Sequence, residues 1–167
     1  MTRDADKFVE LYRRSQIANQ QKGRLFISIH CNSMPTQPNP ASGFEIYILR
    51  AGRSDDAVRV AAAENESVRF ESDGNRYKSS TNDAIVATMA QNAFARYSEE
   101  AANALGTAMR TGTSLNDRGV HQAGFYVLVG ASMPAALVEI GYLSNEKDVK
   151  VLKSDAGQRS IARALYR

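Results

Sequence analysis

Cysteine and histidine are scarce in this 167-residue chain, one Cys and two His, and both shortages narrow the chemistry open to it. A single cysteine, Cys31, excludes an internal disulfide and any multi-cysteine zinc knuckle. With only His30 and His121 present, no metal site of three imidazoles can be built, and a histidine site must be completed by carboxylates. Long apolar runs are missing too: nothing approaches the roughly 18 consecutive apolar residues of a membrane helix, so no membrane span is expected. The amino terminus lacks a basic-then-apolar signal pattern, which leaves location open, since the mature part of a secreted protein reads the same way. There is no internal repeat and no low-complexity tract. Neither sign of charge dominates, with 21 Lys and Arg against 18 Asp and Glu for a net +3. The basic residues are scattered as on a solvated surface, and no nucleic-acid partner is expected.

What the chain does contain is material for one core. At 43% hydrophobic and 23% charged residues it reads as a single domain over 1–167. Both ends look cut: MTRDAD has no leader, and IARALYR stops inside an amphipathic pattern. Residues 6–22 place Phe8, Leu11, Tyr12, Ser15 and Ala18 on one helical face, with Asp4 or Asp6 as N-cap and Gly23 as the stop. The strand LFISIH follows, then a Pro-rich loop, then GFEIYIL, where Phe44, Ile46 and Ile48 alternate with Glu45 and Tyr47. From 51 to 80 the pattern weakens into an insertion, with AVRVAAAENESV as its helical part and SDGNRYKSSTND irregular. Ile85, Met89, Asn92, Ala93, Tyr97, Ala101, Leu105 and Met109 predict a helix over about 83–110. After a turn at TGTSLNDRG come two strands, VHQAGFYVLV and AALVEIGYL, and two closing helices over 146–153 and 155–166, the first capped within SNEKD. The expected class is α/β, a mixed and mostly parallel sheet flanked by helices.

Two polar residues interrupt this apolar scaffold. His30 ends a strand, the edge where open α/β sheets bind ligands. Glu139 lies inside an apolar strand among Leu137, Val138 and Ile140. Each has a plain structural reading: a core histidine bonded to a carbonyl, and a glutamate that turns to solvent or meets an arginine. As a pair on one sheet they also suit a metal site, with a neutral imidazole as ligand and a carboxylate to move a proton. Cys31 points to the other face of its strand and reads as a small core residue.

FISIHCNS, RGVHQAGFYVL and PAALVEIGYLSNEKD, in that order, resemble the zinc-dependent N-acetylmuramoyl-L-alanine amidases of bacterial cell-wall turnover, the amidase-3 type. TRDADKFVELYRRSQIAN is similar to the segment before the histidine strand in that family, and the resemblance covers 1–167. It implies hydrolysis of the amide between N-acetylmuramic acid and L-alanine in peptidoglycan, with one zinc held by two histidines and a glutamate. His30 matches the second of those histidines, and Glu139 the catalytic glutamate that takes a proton from the attacking water and passes it to the leaving amine. Asn32, Arg118 and His121 fall along the substrate pocket; His121 reads as pocket wall, with a compensating metal ligand as the alternative. The implied location is periplasmic or extracellular, at the wall, in daughter-cell separation.

The family's first histidine and glutamate ligand precede the TR motif with which this sequence opens. The expectation is therefore a domain lacking its first βα unit and one more strand, roughly 50 residues, and inactive alone. The insertion at about 51–110 stands where some relatives carry an inhibitory helix that offers a carboxylate to the metal until an activator protein withdraws it; Glu64, Glu66 and Glu71 are the candidates. The plain reading of that stretch is a surface excursion with solvated acids. Two other functions compete: a non-catalytic peptidoglycan-binding or regulatory module of the same fold, and a related zinc carboxypeptidase using Arg118 to clamp a substrate carboxylate.

Overall fold

The computed structural model describes residues 1–52, 54–73 and 94–166. Its described strands are β1 (Phe26–Asn32), β2 (Phe44–Leu49), β3 (Asp117–Ala123) and β4 (Ala135–Tyr142), arranged as one sheet in the order β1-β4-β2-β3. The pairs β1/β4 and β2/β3 are parallel, while β2/β4 is antiparallel, giving the mixed, mostly parallel sheet expected. The helices are α1 (Leu11–Gln20), α2 (Asp55–Asn65), α3 (Ala95–Gly112), α4 (Glu146–Lys153) and α5 (Asp155–Tyr166).

The period of two along the strands divides the core. Phe26, Tyr47, Leu49 and Leu137 face α1 and α2, meeting Leu11, Ala57, Val60 and Ala61. Their neighbours Phe44, Ile46, Ile48, Ala136 and Val138 face the other way, against Ala102, Leu105 and Met109 of α3 and Ile161 and Ala164 of α5. Each large side chain so buried stabilises the fold by roughly 1.5–3 kcal/mol. Because both faces are covered, β2 is buried at every position, Glu45 included, although its alternation suggested one polar face.

Local chemistry sets the element ends. Helix α2 starts where the Ser54 side chain accepts from Ala57 N at 3.2 Å, with Asp55 and Asp56 in the first turn. Asn145 caps α4, accepting from Lys147 N and Asp148 N. Helix α1 begins at Leu11 rather than residue 6, and neither Asp4 nor Asp6 caps it. Leu11 N donates instead to Glu71 Oε1 at 2.7 Å, a carboxylate 60 residues away that satisfies a free amide and suits the positive helix end. Strand β3 starts at Asp117, inside the stretch read as a turn, and stops at Ala123 because its partner β2 ends there; Tyr126–Leu128 form a 3-10 turn instead of more strand. In α3 the buried face is Ser98, Ala102, Leu105, Gly106 and Met109, while Tyr97 stays at the surface under Arg96. Small residues bring that face close to the sheet. Ile85, Met89, Asn92 and Ala93, assigned to the same helix from the sequence, lie outside the described residues.

Candidate metal centre

The parallel register sets His30 of β1 beside Glu139 of β4. Residues opposite one another on neighbouring strands share a face, so both point toward the α2 side of the sheet. From the last turn of α2, Glu64 comes down on them, its Oε2 2.5 Å from His30 Nδ1. One ligand atom from each of His30, Glu64 and Glu139 lies within 4.8 Å of the others, in the only such metal-competent group among the described residues. His30 and Glu64 keep part of their side chains exposed, 20% and 29%, so the cluster opens to solvent on that side.

Glu139 has no exposed surface, and neither of its carboxylate oxygens has a hydrogen-bond partner. Burial first, then the charges of Glu64 and Glu45, push its pKa up to about 8. A buried carboxylate without a donor costs several kcal/mol if ionised, so the site calls for a proton or a cation. One imidazole nitrogen and two carboxylates are a donor set that a divalent ion such as zinc accepts. The residues present therefore fit a metal.

One strand further on, Glu45 of β2 stands opposite Glu139. It too is buried, but it is satisfied: Arg118 Nε donates at 2.7 Å, Tyr47 OH at 2.8 Å, Tyr142 OH at 2.9 Å and Asn32 Nδ2 at 3.1 Å. Burial works to raise the Glu45 pKa, yet the hydrogen bonds of Arg118, Tyr47 and Tyr142 outweigh it and the net shift is downward. Two adjacent carboxylates thus hold different protonation states, one fixed as an anion and one able to carry a proton near neutrality. Tyr142 reaches Glu45 because the ladder slips between His30/Glu139 and Asn32/Tyr142; Gly141 takes φ 145° there, a conformation open to glycine, and Asp148 Oδ2 holds Tyr142 N at 2.9 Å.

The family profile described as N-acetylmuramoyl-L-alanine amidase matches residues 1–167. The chain belongs to that family. AmiC of Escherichia coli O6:H1, named as an N-acetylmuramoyl-L-alanine amidase, is 29% identical over 99% of this chain and 39% of its own length. AmiA of Escherichia coli K12 is 27% identical over 99% of this chain and 57% of its own. Among solved structures, the amidase AmiC2 of Nostoc punctiforme superposes with a TM-score of 0.66 at 27% identity, covering 98% of this chain and 66% of that one. The chain spans less than two thirds of the length of these curated relatives.

Within this amidase-family domain the other expected site residues divide. Asn32 and Arg118 both bind Glu45 and so flank the centre. His121 stays out of the cluster: its Nε2 lies 2.9 Å from Arg118 O and its ring packs against Tyr47, which fits a wall position and leaves the compensating-ligand alternative without support. Of the three candidate carboxylates in the insertion only Glu64 reaches His30. Glu66 lies at the surface beside Arg69, and Glu71 serves the start of α1. Glu45, opposite Glu139 on the next strand, is a neighbour of the cluster that does not stand out in the sequence. Its signal was parity, since it lies two residues before Tyr47 and so shares that residue's buried face.

Proposed function

We propose that this protein hydrolyses the amide bond between N-acetylmuramic acid and the L-alanine of the peptidoglycan stem peptide, with zinc at the His30 cluster, at the cell wall outside the cytoplasmic membrane. The observation that carries the reading is Glu139: a buried carboxylate without a donor, in register beside a partly exposed His30. His30 would hold the zinc, which when bound would supply a Lewis acid for the scissile carbonyl. Glu139 does the proton work. Its raised proton affinity suits a group that takes a proton from water and delivers it to the leaving amine. Glu45 holds the pocket wall in place through Arg118, Tyr47 and Tyr142. In this reading the last turn of α2 is a restraint, because Glu64 occupies His30 Nδ1 and a partner protein that drew that turn aside would release the imidazole. Wall turnover and daughter-cell separation are the processes such control would serve.

The test is zinc content together with cleavage of a muramyl peptide, in wild type, Glu139→Gln and Glu64→Ala. Glu139→Gln is expected to keep zinc and lose turnover; turnover retained in that variant would remove Glu139 from the mechanism. Glu64→Ala is expected to speed cleavage, and a slower reaction would make Glu64 a needed ligand rather than a restraint. Zinc bound without cleavage in any form would favour the non-catalytic wall-binding module.

A further inference from the structure

Next to the metal cluster stand two arginines whose needs the fold leaves partly unmet. Arg118 is held at Nε by Glu45, and its guanidinium carbon lies 5.4 Å from the centroid of the Tyr142 ring. Glu45 is 4% exposed and Tyr142 1%, so Arg118 rests on a rigid buried base, while 37% of its own side chain stays open. Glu45 is its only ion-pair partner among the described residues, and the bond between them uses one of the five N–H groups of a guanidinium. Arg59 of α2 approaches from the end of β4: its Nη reaches Met34 Sδ at 3.2 Å, and Met34 N is tied to Ser144 just beyond β4. Its Nε is buried without a hydrogen-bond partner among the described residues, and the acid nearest along its helix, Asp56, is solvent-exposed and 3.9 Å away. A buried N–H in that state calls for an acceptor. Arg118 over its ring, and Arg59 through Met34 and Ser144, both come near Tyr142.

We infer that Arg118 and Arg59, arranged about Tyr142, form a subsite for the free carboxylate on the stem-peptide residue that follows the alanine, an inference that rests on the amidase reading of the same cleft. The spacing selects that carboxylate. Neighbouring strands lie about 5 Å apart, so β3 is about 10 Å from the strand of Glu139, and the Arg118 side chain already covers part of the gap to reach Glu45. An extended peptide advances about 3.5 Å per residue, which carries the next residue's carboxylate about 7 Å from the scissile amide. A carboxylate at the far end of a longer stem lies well past it. Glu45 is then a positioning residue: it fixes the fork of Arg118 before the substrate arrives, so less side-chain freedom is lost on binding.

The experiment compares a muramyl tripeptide bearing that free carboxylate with its carboxamide, in zinc-loaded wild type, Glu64→Ala and Arg118→Ala. Binding of the two matching free tripeptides is measured by titration calorimetry, which reads the subsite without turnover. Wild type and Glu64→Ala are expected to favour the acid over the amide by about tenfold to a hundredfold, expressed in KM and in peptide affinity rather than in kcat. Arg118→Ala should lose that preference, and its circular-dichroism spectrum and zinc content report whether it folds. Equal treatment of acid and amide by the unsubstituted protein would overturn the inference, as would a preference that follows amidation of the terminal carboxylate instead. Turnover without discrimination removes the subsite and leaves the amidase reading standing; discrimination in peptide binding without turnover does the reverse.

Discussion

The metal-free protein should lose stability as pH rises through neutrality, and replacing one side chain should abolish the effect. Glu139 has a folded pKa near 8 against an ordinary 4.5, raised by burial and by Glu64 and Glu45. Its neutral form therefore belongs to the folded state. Below about pH 4.5 the group is protonated whether the chain is folded or not, and its contribution is complete. Between 4.5 and 8 the unfolded chain has released the proton that the folded chain keeps, so stability falls by about 1.4 kcal/mol per pH unit, reaching a loss on the order of 5 kcal/mol above pH 8. Glu139→Gln removes the titration and preserves the shape. In chelator, urea unfolding of the two proteins should give a difference near zero at pH 4.5 that widens to several kcal/mol in favour of the glutamine variant at pH 8.5. Added zinc should narrow or reverse the gap, because the cation compensates the buried charge. A difference that stays flat across this range would mean that Glu139 is solvated or paired, and the metal-site reasoning would fail with it.

Other outcomes follow from single contacts. Glu45→Gln weakens the bonds from Arg118, Tyr47, Tyr142 and Asn32, and should cost about 3 kcal/mol in chemical denaturation; a loss below about 1 kcal/mol would refute the role of hub. Gly141→Ala forces a side chain into φ 145° with its Cβ 3.3 Å from Leu152, so Tm should fall by an amount equivalent to about 1–3 kcal/mol. Met109→Ala opens a hole on the face away from the metal centre and should cost about 2–5 kcal/mol while leaving zinc affinity unchanged; lost zinc binding would show that the two faces are coupled.

The sequence alone determined what depends on neighbours along the chain. Alternation in FISIH and GFEIYIL, the helical period of the last two segments, and the capping asparagine in SNEKD are local signals, and the elements appear where those signals lie. His30 and Glu139 were legible for a related reason, since a polar group inside an apolar run is conspicuous before any partner is known. Everything that depends on register or on crossing distance was decided only in three dimensions. Glu64, Glu66 and Glu71 are equivalent as text, yet the turn of α2 over the sheet delivers one of them to His30, leaves one in solvent and spends the third on the amide of Leu11. Glu45 looked like the polar side of a strand until helices covered both faces. Its four donors come one from each of the four described strands, and a slip of one residue at Gly141 turns Tyr142 toward it. Burial and pairing are properties of the packed sheet, and no linear pattern contains them.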